Sequence, residues 1–109
     1  MSANNARGSN PGKTHFLLWS TPPRTTFHGD MSAEERDVMY QHIAYWTDKQ
    51  NKGIALIFGP ILKPNDPHGL AIVEVETADQ VPQLMAEDPA VIAGLMTMEF
   101  YPMMATLPK

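Results

Sequence analysis

The chain has 109 residues, 43% of them apolar, and a net charge of −4 with no basic run. That length suits one domain with a modest core, and the charge argues against a nucleic-acid backbone as partner, which needs clustered Lys and Arg. With no cysteine, disulfides, thiolate nucleophiles and Cys-ligated metal sites are excluded.

Residues 1–14 are polar and rich in Asn, Gly and Ser, without the apolar core of a signal peptide. No apolar run approaches the ~20 residues of a membrane helix. The expectation is a soluble cytoplasmic protein with a flexible tail over residues 1–14 and one domain over 15–109. His15 to Ser20 reads as a buried first strand, ended by Thr21-Pro22-Pro23 because neither proline can donate to a ladder. From Thr21 to Met31 runs a long irregular loop carrying Arg24, Phe27, His28 and Asp30.

Ser32 with Glu35 is a capping box opening a helix that runs to about Lys52. Val38, His42 and Tyr45, with the parallel row Met39, Ile43 and Trp46, form one broad apolar face. Gly53 stops the helix as a left-handed cap residue. The second strand, Gly53 to Leu62, is apolar on both faces, with Ile54, Leu56 and Phe58 on one and Ala55 and Ile57 on the other, and Gly59-Pro60 closes it. Such a strand has to be covered on both sides.

A turn-rich connector, residues 63–69, leads to a third strand, Leu70 to Val75. The next helix starts from Asp79 as cap in preference to Thr77 with Gln80, since this puts Pro82 inside the first turn; Val81, Leu84 and Met85 form its buried stripe. Asp88-Pro89 begins a short helical segment that Gly94 ends. Leu95 to Met104 is the last strand, with Pro102 at an edge.

The order strand, helix, strand, strand, helix, strand predicts an α+β ferredoxin-like βαββαβ fold, both helices on one face of a four-stranded antiparallel sheet. The other face is then apolar and bare, and a homodimer through it is expected.

His42, on the apolar side of its helix, has two readings: a satisfied core residue, or an imidazole at a pocket edge suited to proton transfer. Asp88 is explained by helix capping alone; facing a pocket, it would also fix the tautomer of a histidine and leave the other ring nitrogen free. Gly59-Pro60 marks either a strand end or a place where a ligand approaches bare backbone. His28 with Asp30, and Asp66 with His68, lie among turn-forming neighbours and read as solvated loop residues, so no metal is expected. There is no dinucleotide or phosphate-binding glycine pattern, and the eight methionines read as adaptable core filling. No cofactor is expected.

These features in this order, over about His15 to Met104, resemble the YciI-like (YCII-related) family. The resemblance implies a dimeric α/β-barrel form of the ferredoxin-like fold, with a histidine/aspartate pair, here His42 and Asp88, near a glycine-proline turn, here Gly59 and Pro60. It departs at Ala90, where many members carry an aromatic residue, which implies a wider pocket wall. The members with a known reaction resemble lyases or dehydrochlorinases of small ring compounds. The functional expectation is a cofactor-independent lyase, isomerase or dehydrochlorinase acting on a small ring or carboxylate compound. His42 is its general base or acid, Asp88 orients it, Gly59 and Pro60 admit the substrate, and Tyr45 and Arg24 bind a polar or anionic substituent. The rival is a non-catalytic dimeric module that binds a small ligand.

Overall fold

The computed structural model describes residues 12–108, so most of the expected tail, residues 1–11, lies outside the described residues. Strand β1 (Thr14–Thr21) pairs antiparallel with β3 (His68–Val75) on one side and β4 (Thr97–Met103) on the other. Strand β2 (Ala55–Ile61) pairs antiparallel with β3, so the sheet order is β2-β3-β1-β4. This is the ferredoxin-like order, with β2 and β4 at the edges. Pro60 and Pro102 both sit in these edge strands, where a missing N–H leaves no inner ladder broken. Pro60 therefore does not close β2: the strand continues to Ile61, opposite His68.

Face assignment in β2 differs from simple alternation. Ala55 pairs with Val73 and Ile57 with Ile72, so Leu56 is an extra residue in the ladder. A bulge of this kind reverses the phase of the residues beyond it. Ala55 and Phe58 therefore share the helix-facing side with Phe16, Leu18, Ala71 and Val73, while Ile57 stands exposed on the opposite face. Leu17, Trp19, Leu70 and Ile72 alternate onto that same outer face, and His15 there bonds Glu74 at 2.9 Å.

The long helix α2 (Ala33–Asn51) starts where the capping box predicts: the Glu35 N–H donates to Ser32 Oγ and the Ser32 N–H to Glu35 Oε1. Gly53 follows it with φ +78°, the left-handed conformation that lets the chain turn into β2. Its inward stripe is Val38, Met39, His42, Tyr45 and Trp46. Ile43, about 40° beyond Met39 round the helix, falls at the edge of that stripe and is 49% exposed at the rim of the cavity.

The loop before α2 is not irregular throughout, since it holds a short helix α1 (Phe27–Asp30). Arg24 clasps this loop to the start of α2. Its Nη1 and Nη2 donate to the two Glu35 carboxylate oxygens at 2.9 and 2.8 Å, and its Nε donates to Asp30 at 2.8 Å. These bonds, with that from the Ser32 N–H, hold the Glu35 carboxyl down from 4.5 to about 2. A carboxyl lowered on folding stabilises above its unfolded value and loses that contribution as pH falls through the folded one. Glu35→Gln is thus expected to be modestly less stable than wild type in urea at pH 7, solvent screening keeping the gap small. The gap should narrow as pH falls below 4.5 toward about 2, whereas a pH-independent gap would count against the clasp.

The second helical region is split. A 3-10 turn (Ala78–Gln80) precedes α3 (Val81–Ala86), and Gln80 Oε1 accepts from the Glu76 and Thr77 N–H groups. Asp79 is therefore not the cap: Thr77 opens the turn with Gln80, and the fresh start at Val81 places Pro82 in the first turn of α3, where no N–H is needed. Helix α4 (Pro89–Ile92) follows from Asp88, and Gly94 leaves it at φ +72°.

Candidate active site

His42 and Trp46 lie one turn apart on α2, so both side chains reach the same point across the helix. That point is Asp88, the cap of α4, whose side chain is 0% exposed. As a cap its Oδ1 accepts from the Ala90 N–H at 2.8 Å. Its Oδ2 accepts from Trp46 Nε1 at 2.8 Å. His42 Nδ1 stands 2.9 and 2.8 Å from the two oxygens. An ionised Asp88 offers only acceptor oxygens, so a neutral His42 ring set against them donates from Nδ1. In the neutral ring Nε2 is then the bare acceptor nitrogen, and no described residue bonds it.

His42 is 16% exposed in its side chain, and the exposed part lines a cavity of about 170 Å³ between α2 and the sheet. The sheet side of this cavity carries Leu18, Ser20, Phe58 and Gly69, and Gly59 and Pro60 stand along its β2 wall. Four methionines, Met31, Met39, Met96 and Met98, contribute polarizable apolar surface. No Lys or Arg lines the cavity among the described residues.

Of the residues expected from sequence, His42, Asp88, Gly59 and Pro60 are thus brought to one place. Arg24 and Tyr45 are not. The guanidinium of Arg24 is taken up by Glu35 and Asp30, and the Tyr45 hydroxyl donates to the Leu84 carbonyl at 2.7 Å, its pKa pushed up to about 12 by burial and then by Glu87. Neither lines the cavity, which corrects their expected contact with substrate. Ala90 does not widen it either: it is buried beneath Phe27 and Met96, so the loop aromatic fills the space beside it. His68 lines the cavity with both ring nitrogens engaged, Nε2 at 2.9 Å from Asp66 and Nδ1 at 3.2 Å from the Ser20 carbonyl, and stacks on Trp19. His28 also reaches the cavity wall. No group of three or more metal-ligating side chains occurs among the described residues.

Two residues of the site escaped the sequence reading. Trp46 was legible as core, and its indole N–H signalled a buried acceptor within reach. Ser20 was marked only as the polar residue ending the alternation Phe16, Leu18, Ser20, and its place opposite Gly69 exists only through strand register.

The layers and strand order define a ferredoxin-like α+β domain, and its cavity leaves room for a small ligand between helix and sheet. The YCII-related domain model matches residues 15–103, and the chain belongs to that family. No curated protein matches the sequence. Among solved structures, the 5-chloro-2-hydroxyhydroquinone dehydrochlorinase TftG from Burkholderia phenoliruptrix AC1100, in complex with 2,5-dihydroxybenzoquinone, is 20% identical. It has a TM-score of 0.61 over 80% of this chain and 90% of that one. The uncharacterized protein TM1266 from Thermotoga maritima is 8% identical, with a TM-score of 0.51 over 84% of this chain and 98% of that one. These likenesses show the fold. No helix among the described residues is long and apolar enough to cross a membrane.

Proposed function

We propose that the protein is a small enzyme of the lyase, isomerase or dehydrochlorinase type, needing no cofactor, that converts a compact ring compound by acid–base catalysis at His42. The observation that carries this reading is the His42 Nδ1 contact, 2.8 Å, to a fully buried Asp88 beside a partly open, largely apolar cavity. Nε2 takes a proton from carbon or oxygen of the substrate. In an isomerisation it returns that proton elsewhere; in an elimination a leaving group departs with its electron pair as the new double bond forms. Asp88 stays ionised throughout, holding the ring in place and stabilising the imidazolium.

Cavity size supports a single ring, since an apolar cavity of ~150 Å³ accommodates benzene. The absence of a lining cation favours a neutral ring over a carboxylate. TftG, which shares the fold, is named for a reaction on a chlorinated hydroxyhydroquinone, and that chemistry fits such a space. A thermal-shift screen of neutral ring compounds, followed by mass analysis of each stabilising compound, tests the reading. Product is expected, and recovery of every ligand unchanged would favour the non-catalytic binding module. The proposal includes a homodimer through the outer sheet face, where Ile57 and Tyr101 stand at least half exposed. Sedimentation equilibrium showing a monomer at micromolar concentration would remove that part.

A further inference from the structure

We propose that Ser20 is a second polar anchor in this cavity, hydrogen-bonding an oxygen of the bound compound from the sheet side, so that the ligand carries two oxygen functions. The inference deepens the acid–base reading and rests on it for the approach of His42 from the helix side. In β1 the inward positions run Phe16, Leu18, Ser20, and a hydroxyl takes the place where the pattern calls for an apolar group. Ser20 is 4% exposed and lines the cavity. Its backbone carbonyl meets His68, but no described residue bonds its Oγ. Yet no enclosed polar side-chain atom lacks a partner among the described residues, so the hydroxyl opens onto the cavity itself.

Opposite Ser20 in the ladder is Gly69. A methyl group there would overlap the Ser20 Oγ, so glycine preserves the space the hydroxyl occupies. The other polar group on this side, His68, is spoken for by Asp66 and the Ser20 carbonyl. Ser20 is therefore the polar atom of the sheet wall left to a ligand. A hydroxyl both donates and accepts, which suits a phenol, an enol or a ring carbonyl. With His42 on α2 and Ser20 on β1, the two groups approach a ring from opposite layers.

Hydroquinone and 4-methylphenol, of nearly equal size, differ in the second oxygen and serve as probes in NMR titrations. One hydrogen bond of ordinary strength corresponds to about a 2- to 12-fold difference in affinity. Ser20→Ala is expected to weaken hydroquinone by about 5-fold and to leave 4-methylphenol within about 2-fold, with unfolding midpoints unchanged. Gly69→Ala, which displaces the hydroxyl without deleting it, should cause the same selective loss. The double variant should add nothing further.

An unchanged ratio of the two affinities in Ser20→Ala, or an equal weakening of both probes, overturns the anchor; the second outcome assigns Ser20 a packing role. If Ser20→Ala shifts the ratio while every ring compound that the wild type binds is recovered chemically unchanged, the anchor stands and the acid–base reading fails. Failure of both probes to bind the wild type at millimolar concentration overturns the two together.

Discussion

Replacing His42 by alanine is expected to lower turnover of a ring compound that the wild type converts by about 10²- to 10⁴-fold, the usual worth of a positioned acid or base. The loss should fall on kcat, because the side chain removed acts on the proton in flight and contributes little to the apolar walls that bind the ring. The fold should persist, since Asp88 keeps the Trp46 and Ala90 N–H donors. His42→Gln, which restores bulk and polarity without a base, should be as inactive as the alanine variant. Turnover unchanged in either variant, measured with the same compound and enzyme concentration, would reject His42 as the catalytic group.

Asp88→Ala is expected to act on stability before it acts on chemistry. The carboxylate is fully buried and satisfies Trp46 Nε1, the Ala90 N–H and His42 Nδ1 at once. Loss of the cap alone typically costs about 1 kcal/mol, and each donor stranded in the interior costs about 1–3 kcal/mol more. A total of roughly 3 kcal/mol or greater is expected from these sources, a large share of the stability of a small domain. Asp88→Asn keeps an oxygen for the cap and should unfold at a urea midpoint between those of wild type and alanine. A loss below about 1 kcal/mol in Asp88→Ala would mean that the carboxylate is no more than an exchangeable helix cap.

These two residues also mark how far the amino-acid pattern reaches. Local chemistry was legible: the Ser32–Glu35 box, the turn at Gly53 and the Asp88-Pro89 start each depend on neighbours a few positions away, and each recurs in the structure. So was the strand and helix order that leads to the ferredoxin-like fold. Legibility ends where partners lie far apart in sequence. Leu56 is a bulge only by reference to β3, and the misassigned faces of β2 stem from that one extra residue. Arg24 looked available for a substrate because nothing local showed that Glu35 would lie beneath it after the loop closed. Tyr45 shares a helix face with His42, yet Leu84 claims its hydroxyl. Pro82 forced a break that neither cap alone explained, and the chain resolves it with a 3-10 turn before α3.

His42 and Asp88 themselves stand between these cases. Their residue types and flanking patterns were visible, while their meeting depends on the docking of α4 against α2, and the third member, Trp46, donates its indole N–H to the same carboxylate. The proposed chemistry turns on one hydrogen, which Asp88 would hold on Nδ1 of His42 so that Nε2 is bare toward the cavity. Long-range ¹H–¹⁵N correlations of the neutral His42 ring read this directly. A protonated Nδ1 and an unprotonated Nε2 are expected, with that preference weakened in Asp88→Asn. A neutral ring carrying its proton on Nε2 in the wild type would contradict it, because Nδ1 would then have no hydrogen to give the carboxylate and the cavity would face a donor in place of a base.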